Sequence, residues 1–217
     1  MSQNIREDIL LNYLNVAILT SSLKVLVIGG GNSAYIKCKS LTDKGVKVTV
    51  VAKEFNEKFE TLKGIHKITD SYKKKYLEKN HLIIIAIKKG YDLDKIIGDC
   101  EEEFKLYLNC SDFIKGKFIL PIQDNTENVN FSLNIKGGNP KTSIFLKDKV
   151  KKELLKYDSL AQFNTALRNK IKASPFKKEI MAFTASDDFN FFLEKGVHEK
   201  ILKLFYGGNS FEYKNSN

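Results

Sequence analysis

The feature that most constrains this chain is an apolar run that ends at three consecutive glycines. Residues 25–28 read Val-Leu-Val-Ile, the glycines follow, and a helix-compatible segment begins near Asn32. The spacing Gly29-x-Gly31-x-x-Ala34 is typical of the strand–turn–helix that binds a dinucleotide. The motif therefore predicts a buried strand, a tight turn and a helix start that faces a ligand.

Each small residue of the motif has a physical role. Gly29 permits the tight turn, Gly31 lets a pyrophosphate approach because it has no Cβ, and Ala34 lets the helix pack closely on the strand. The helix start, with Asn32 and Ser33, offers free N–H groups and partial positive charge to the phosphates. We therefore expect these five residues to bind a dinucleotide.

The predicted elements around the motif form one βαβ unit. Leu23 to Ile28 is a buried strand, Ser33 to Lys44 is a helix, and Val46 to Ala52 is a second buried strand. Their combined length of about 30 residues is the context that the glycine motif requires. The unit makes the prediction much stronger than the glycines alone.

Further strands are predicted at Ile65 to Thr69, Leu82 to Ile87 and Leu106 to Asn109, with a helix at Tyr91 to Glu103. Strands that alternate with helices predict an α/β domain with a Rossmann-type parallel sheet. Ligands of such sheets bind beyond the carboxyl ends of the strands. The segments predicted at those ends are Gly29–Ser33, Lys53–Glu54, Ile87–Lys89 and Asn109–Asp112.

The pattern changes after Gly116. Two strands, Phe118 to Ile122 and Val129 to Ile135, are predicted on either side of a polar turn at Gln123 to Asn128. An amphipathic helix follows at Ser143 to Tyr157. This is a small α+β segment.

From Ser159 onward the sequence is helical, with breaks near Ser174-Pro175 and Gly196 and no strand candidate. The chain is therefore expected to consist of a Rossmann-type domain (residues 1–116), a central segment (117–157) and an all-helical C-terminal domain (158–217).

Composition excludes several classes of protein. No apolar run approaches the roughly 20 residues of a membrane span, and Met1 to Leu11 is too polar for a signal peptide. Cys38, Cys100 and Cys110 have no CxxC spacing, which is typical of reduced thiols in a cytoplasmic protein.

The net charge of +10 is distributed along the chain. Residues 1–116 carry +4, residues 117–140 carry none and residues 141–217 carry +6. Even the densest cluster, Lys73-Lys74-Lys75, is typical of a solvated face. Nucleic acid is therefore the least favoured partner, because only the charge supports it.

Further landmarks follow one another in a fixed order. They are Asn12 to Leu14, Lys24 to Ala34 with Lys37, Val48 to Ala52, Asn109-x-x-Asp112, Phe118 to Pro121, Gly137-Gly138, Ser186 to Phe189 and Leu193 to Gly196. Their order and spacing resemble the precorrin-2 dehydrogenase/sirohydrochlorin ferrochelatase family, the N-terminal module of siroheme synthases. The resemblance spans roughly residues 10–205.

The resemblance implies NAD-dependent oxidation of precorrin-2 to sirohydrochlorin. Some family members also insert ferrous iron to give siroheme, while others only dehydrogenate, so a ferrous or cobaltous ion is a second expected substrate. It also implies a homodimer formed through the central segment, with the active site near the Rossmann cleft.

Asp112 is the predicted catalytic residue. In the family an aspartate follows an asparagine by three positions at the end of this strand, as Asn109-Cys110-Ser111-Asp112 does here. A carboxylate suits the chemistry, because hydride loss must be accompanied by proton loss. Two alternatives remain: an aspartate that only shapes a turn, and an alignment without a gap, which puts Ser111 at this position.

The cofactor contacts after the second and fourth strands depart from the usual pattern. Glu54 comes one residue late for an acid on the ribose, and Lys53 suits a 2′-phosphate, but the resemblance favours NAD. Ile87 and Lys88 are also predicted to bind the cofactor, although the family has a Thr-Asp/Asn-Asp type segment where Ile87-Lys88-Lys89 stands. This departure supports an alternative, a dinucleotide-sensing protein without catalysis.

The substrate contacts implied by the resemblance are Lys37, Asn109, Gly137 and Gly138. A lysine such as Lys37 can hold substrate carboxylates as a point charge, or it can be an ordinary exposed helical lysine. No metal site is predicted, because the three histidines are scattered without ligand spacing.

Overall fold

A computed structural model of the chain describes residues 13–135 and 138–207, and it divides between Leu120 and Pro121 into two compact units. The residues Met1 to Leu11, the landmark residue Asn12 and the predicted substrate contact Gly137 lie outside the described residues. No helix within the described ranges is long and apolar enough to cross a membrane.

The first unit is a five-stranded parallel sheet with the strand order β3-β2-β1-β4-β5. Its elements are β1 (Lys24–Ile28), α1 (Asn32–Thr42), β2 (Lys47–Ala52), β3 (Ile65–Thr69), β4 (Leu82–Ile85), α2 (Tyr91–Glu102) and β5 (Leu106–Asn109). The predicted Rossmann-type sheet is confirmed.

Strands β1, β2 and β4 are buried on both faces, which explains their nearly continuous apolar residues, whereas the edge strand β3 is partly polar and has no buried residue. In β1, Val25 and Val27 pack in one core cluster with the buried side chains of α1. Leu26 and Ile28 pack in the other cluster with the buried side chains of α2. The alternation follows from the two-residue period of a strand.

The strands that follow β1 in sequence lie on both sides of it, and this arrangement determines where a ligand can bind. Through α1 it leads to β2 on one side of β1, and after β3 it crosses to β4 on the other side. In open α/β sheets the crevice at such a switch, beyond the carboxyl ends of the strands, is the usual ligand site. The glycine turn after Ile28 lies at this crevice.

The second unit combines a hairpin with helices. Its elements are β6 (Ile122–Asn125), β7 (Asn130–Leu133), α3 (Pro140–Leu154), α4 (Asp158–Lys170), α5 (Lys177–Thr184), α6 (Asp187–Glu194) and α7 (His198–Tyr206). The four helices α4 to α7 share one buried cluster that includes Leu160, Leu167, Ile180, Phe189 and Leu202. The predicted helical C-terminal region is confirmed.

The predicted hairpin was misplaced. The segment from Phe118 to Leu120 forms no strand, because Phe118 and Leu120 are covered by packing on the first unit's core and not by strand pairing. Polar residues that we predicted as a turn, Gln123 to Asn125, form part of β6. Apolar runs show burial, but they do not show which partner provides it.

The predicted start of α3 at Ser143 was also wrong. The helix begins at Pro140, and the Asn139 side chain accepts a hydrogen bond from the Thr142 N–H at 3.1 Å. Asn139 is thus the N-cap and Pro140 the first helical residue, a combination that favours a helix start.

Candidate dinucleotide and substrate site

The three glycines after β1 are not equivalent. At Gly29, where φ is +120°, a Cβ would lie 2.4 Å from the carbonyl oxygen of Ala86. At Gly30 a Cβ would lie 2.0 Å from the carbonyl oxygen of Glu54. At Gly31 a Cβ would meet no atom within 4 Å. The first two glycines therefore pack against backbone, and the third leaves open space in front of α1.

The start of α1 fits an anionic group in that space. The helix begins at Asn32, no side chain caps it, and its first turn carries no acidic residue. Asn32 and Ser33 are exposed, whereas Ala34 is fully buried against the core. Uncapped N–H groups and the helix dipole attract phosphate at such a position.

Sequence reasoning missed the role of Gly30. The dinucleotide motif leaves this position free, yet here the Gly30 backbone packs on Glu54, and its carbonyl oxygen accepts a hydrogen bond from the Asn56 N–H at 2.8 Å. The third consecutive glycine was the available signal. The side chains of Lys53 and Glu54, directly after β2, are exposed.

The segment after β4 lies between the glycine turn and the loop after β5. The Cγ2 atom of Ile87 is 3.3 Å from the position of a Cβ on Gly29. The Ser111 hydroxyl donates a hydrogen bond to the Ile87 carbonyl oxygen at 2.7 Å. The Lys88 side chain, next in sequence, is exposed. The predicted contacts Gly29 and Ile87 are thus neighbours in space.

Asn109, at the end of β5, is only 1% exposed. Its side-chain oxygen accepts hydrogen bonds from the backbone N–H groups of Ser111 at 2.9 Å and Asp112 at 3.2 Å. This asparagine therefore sets the path of the loop that carries Asp112. Its burial suits positioning better than direct contact with a ligand.

Asp112 is half-buried and precedes a short 3₁₀ turn at Phe113–Lys115. It occupies the N-cap position, yet its carboxylate makes no capping hydrogen bond. Among the described residues, no ion pair includes this carboxylate. A purely structural capping role therefore has no side-chain bond to support it.

The α1 helix also reaches the loop after β5. Burial raises the pKa of the Cys110 thiol, while a hydrogen bond with Ser33 and the positive charge of Lys37 lower it. Lys37 is half-buried and not fully exposed. Ser33, Lys37 and the Asn109–Asp112 loop thus share one edge of the sheet.

The other predicted features are described within their own units. Gly138 lies in the second unit, where φ is +70°. In the described ranges, no group of three or more His, Cys, Asp or Glu side chains could hold a metal ion. The His81 Nδ1 atom accepts a hydrogen bond from the Lys24 N–H at 3.0 Å, at the opposite edge of the sheet.

Comparison with known proteins agrees with this geometry. Residues 16–122 match a family described as putative NAD(P)-binding. The matched segment includes the glycine turn, the end of β4 and the loop of Asp112. A comparison with curated proteins finds no match. The first unit is therefore similar to putative NAD(P)-binding proteins over nearly all of its described residues.

Among solved structures, the chain is similar to SirC, described as a precorrin-2 dehydrogenase, with 18% identity and a TM-score of 0.65. The likeness covers 90% of this chain and 100% of SirC. An NADPH-dependent glyoxylate/hydroxypyruvate reductase from Sinorhizobium meliloti, in complex with NADP and sulfate, has 11% identity and a TM-score of 0.35, covering 46% of this chain and 33% of the reductase. The predicted resemblance to precorrin-2 dehydrogenases is thus confirmed at the level of the fold.

Proposed function

We propose that this chain, which is similar to SirC in fold and to the putative NAD(P)-binding family over residues 16–122, is an NAD-dependent precorrin-2 dehydrogenase. The observation that carries the proposal is the Asp112 carboxylate, which is half-buried at the same sheet edge as the glycine turn and forms no ion pair with any described residue. That edge offers both a cradle for a dinucleotide and a base for proton removal.

The reaction needs one hydride acceptor and one base. Oxidation of precorrin-2 to sirohydrochlorin removes a hydride and a proton, and bound NAD supplies the hydride acceptor. We assign the proton to Asp112, which passes it to solvent. A positioned general base of this kind contributes about 10²–10⁴-fold to a rate.

The other residues of the edge have supporting roles in this proposal. The N–H groups at Gly31, Asn32 and Ser33 bind the diphosphate, and the Ile87 and Lys88 segment borders the cofactor. Lys37 attracts substrate carboxylates, and buried Asn109 orients the loop of Asp112. The family resemblance supports NAD as the cofactor, whereas Lys53 would support NADP.

Anaerobic incubation of the protein with precorrin-2 and NAD tests the proposal. We expect sirohydrochlorin and NADH to form in equal amounts, and NADP in place of NAD to give a much lower rate. A reaction without protein is the control. No absorbance change beyond that control would contradict the proposal.

A second activity is proposed for the same carboxylate. In the insertion of a ferrous or cobaltous ion into sirohydrochlorin, the pyrrole nitrogens lose two protons, and we assign Asp112 to accept them in turn. Anaerobic incubation of sirohydrochlorin with ferrous ion alone tests this step. An insertion rate equal to the protein-free rate would exclude it.

The Ile87-Lys88-Lys89 segment favours a different function, that of a dinucleotide-sensing protein without catalysis. It has no threonine hydroxyl to meet a nicotinamide. NAD binding without any binding of tetrapyrrole would support the sensor and contradict the enzyme.

We also propose a homodimer formed through the central segment, residues 117–157. The 15-residue helix α3 has no buried residue, and its Ile144 and Phe145 side chains are at least half exposed. A helix with an uncovered apolar side is typical of a partner interface.

The three-part division of the chain and a cytoplasmic location stay predictions.

A further inference from the structure

Lys58 reaches the start of α1 from a distant part of the sequence. It lies in a short 3₁₀ turn at Glu57–Phe59, between β2 and β3. Its Nζ atom donates a hydrogen bond to the Asn32 side-chain oxygen at 3.1 Å. An ammonium group is therefore held beside the first residue of α1, close to the open space at Gly31.

The turn that carries Lys58 is fixed on both sides. The Asn56 N–H donates to the Gly30 carbonyl oxygen at 2.8 Å, and the Asn56 side chain accepts from the Lys58 N–H at 3.0 Å. Phe59 is 1% exposed, and its ring contacts those of Tyr35 and Phe55. The backbone of Lys58 is thus attached to the glycine turn by hydrogen bonds and to the core by packing.

Lys58 is one of many lysines of the first unit whose charge is not paired with a carboxylate in the described ranges. Four others, Lys39, Lys73, Lys74 and Lys117, form such pairs. Within the described ranges, Lys58 takes part in no ion pair, and its side-chain partner Asn32 is neutral. Its positive charge remains available to an anion at the start of α1.

We infer that Lys58 is a phosphate-binding residue of the dinucleotide site, where its ammonium group contacts the diphosphate. The inference rests on the proposed dinucleotide binding. Lysine binds phosphate as a point charge through charge-assisted hydrogen bonds. The diphosphate would then be held from one side by the N–H groups of α1 and from the other by Lys58.

Replacement of Lys58 by methionine tests the inference, because methionine keeps the apolar stem and removes the charge. We expect the Kd for NADH, measured by calorimetry, to rise about tenfold, as for the loss of one charged hydrogen bond. Lys58→Arg should stay within about threefold of the wild type, because it keeps the charge. The matched control is Lys47→Met, at the amino end of β2, which should leave the Kd unchanged.

Smaller ligands show which part of the dinucleotide Lys58 contacts. ADP should lose affinity in Lys58→Met as NADH does, whereas adenosine, which has no phosphate, should bind the variant and the wild type equally. Equal binding of NADH by Lys58→Met and the wild type would overturn the inference. A much larger loss for NADPH than for NADH would overturn it too, because Lys58 would then contact the 2′-phosphate.

The proposed function has a different test from the Lys58 inference: it would be contradicted if the wild-type protein bound no dinucleotide. Thermal unfolding checks that each variant is folded, and the exposed position of Lys58 predicts unchanged melting.

Discussion

The helices α1 and α3 show how differently the two units are built. In α1, Ala34, Cys38 and Leu41 are buried against the parallel sheet. In α3 no residue is buried, and Phe145 remains 58% exposed. The helix of the first unit thus contributes to a core, whereas Phe145 on α3 is left uncovered by the residues that the structure describes. In the proposed function, the first unit holds the cofactor and the exposed side of α3 contacts a second subunit.

Two carboxylates, one in each unit, differ in their surroundings. Asp124 on β6 lies 2.9 Å from both Lys147 and Lys151, and these lysines hold its pKa well below the usual range. Asp112 in the first unit forms no such ion pair within the part of the chain that the structure describes. A carboxylate with two cations is a structural link between β6 and α3, whereas one without them can exchange a proton with a ligand.

The largest expected effect is a loss of folding stability in the first unit. In Gly30→Ala the new Cβ would meet the Glu54 carbonyl 2.0 Å away. Because the neighbour is backbone, we expect the free energy of unfolding to fall by about 3 kcal/mol. Chemical denaturation measures this loss. Wild-type stability would show that the glycine turn is not tightly packed.

Gly31→Ala is the matched variant. The new Cβ would meet no atom, and the backbone at Gly31 (φ −82°, ψ −175°) suits alanine. We expect unchanged stability but at least about tenfold weaker NADH binding, because the methyl group occupies the space of the phosphate. Unchanged binding in calorimetry would contradict the proposed cradle.

The second unit is tested by Phe145→Asp. A charge on the exposed apolar side of α3 should convert a dimer into a monomer, which light scattering detects, because desolvating an unpaired carboxylate opposes association. Leu204→Asp, at an exposed apolar position on α7, is the control and should remain dimeric. A monomeric wild type would contradict the proposed homodimer.

The sequence predicted the first unit better than the second, for a physical reason. Buried parallel strands such as β4 are marked by continuous apolar residues, and the glycine motif identifies the turn after β1. The β6 strand begins at Ile122 and continues through polar residues, because the hairpin is not buried on both faces. Its apolar neighbours pack elsewhere, so composition alone misplaces it.

The candidate site was predicted in its local parts only. Gly29, Gly31 and Asn109-x-x-Asp112 are recognisable because each lies within one short segment. The contacts of Lys58 with Asn32 and of Ser111 with Ile87 join segments more than 20 residues apart in sequence. No spacing rule indicates such contacts, since they depend on how the loops fold back over the sheet edge.

The smallest expected effect concerns Asp124. Its folded-state pKa is depressed, so its ion pairs stabilise the protein above its ordinary pKa of 3.8, and this contribution is lost as the pH falls below that value. Asp124→Asn should lower the free energy of unfolding by about 1 kcal/mol at neutral pH and by almost nothing in acid. Urea denaturation of the variant and the wild type, at neutral pH and in acid, measures this difference. An equal loss of unfolding free energy under both conditions would contradict the ionic role of Asp124.

The central claim is that Asp112 accepts a proton from the substrate at the sheet edge that carries the glycine turn. The most direct measurement is the anaerobic rate of NADH formation from precorrin-2 and NAD by the wild type, Asp112→Asn and Asp124→Asn. We predict that Asp112→Asn binds NADH normally but turns over at least about a hundredfold more slowly, because the amide cannot accept the proton. Asp124→Asn, with the same substitution at the paired carboxylate, should retain the wild-type rate. Turnover of Asp112→Asn at the wild-type rate would contradict the account.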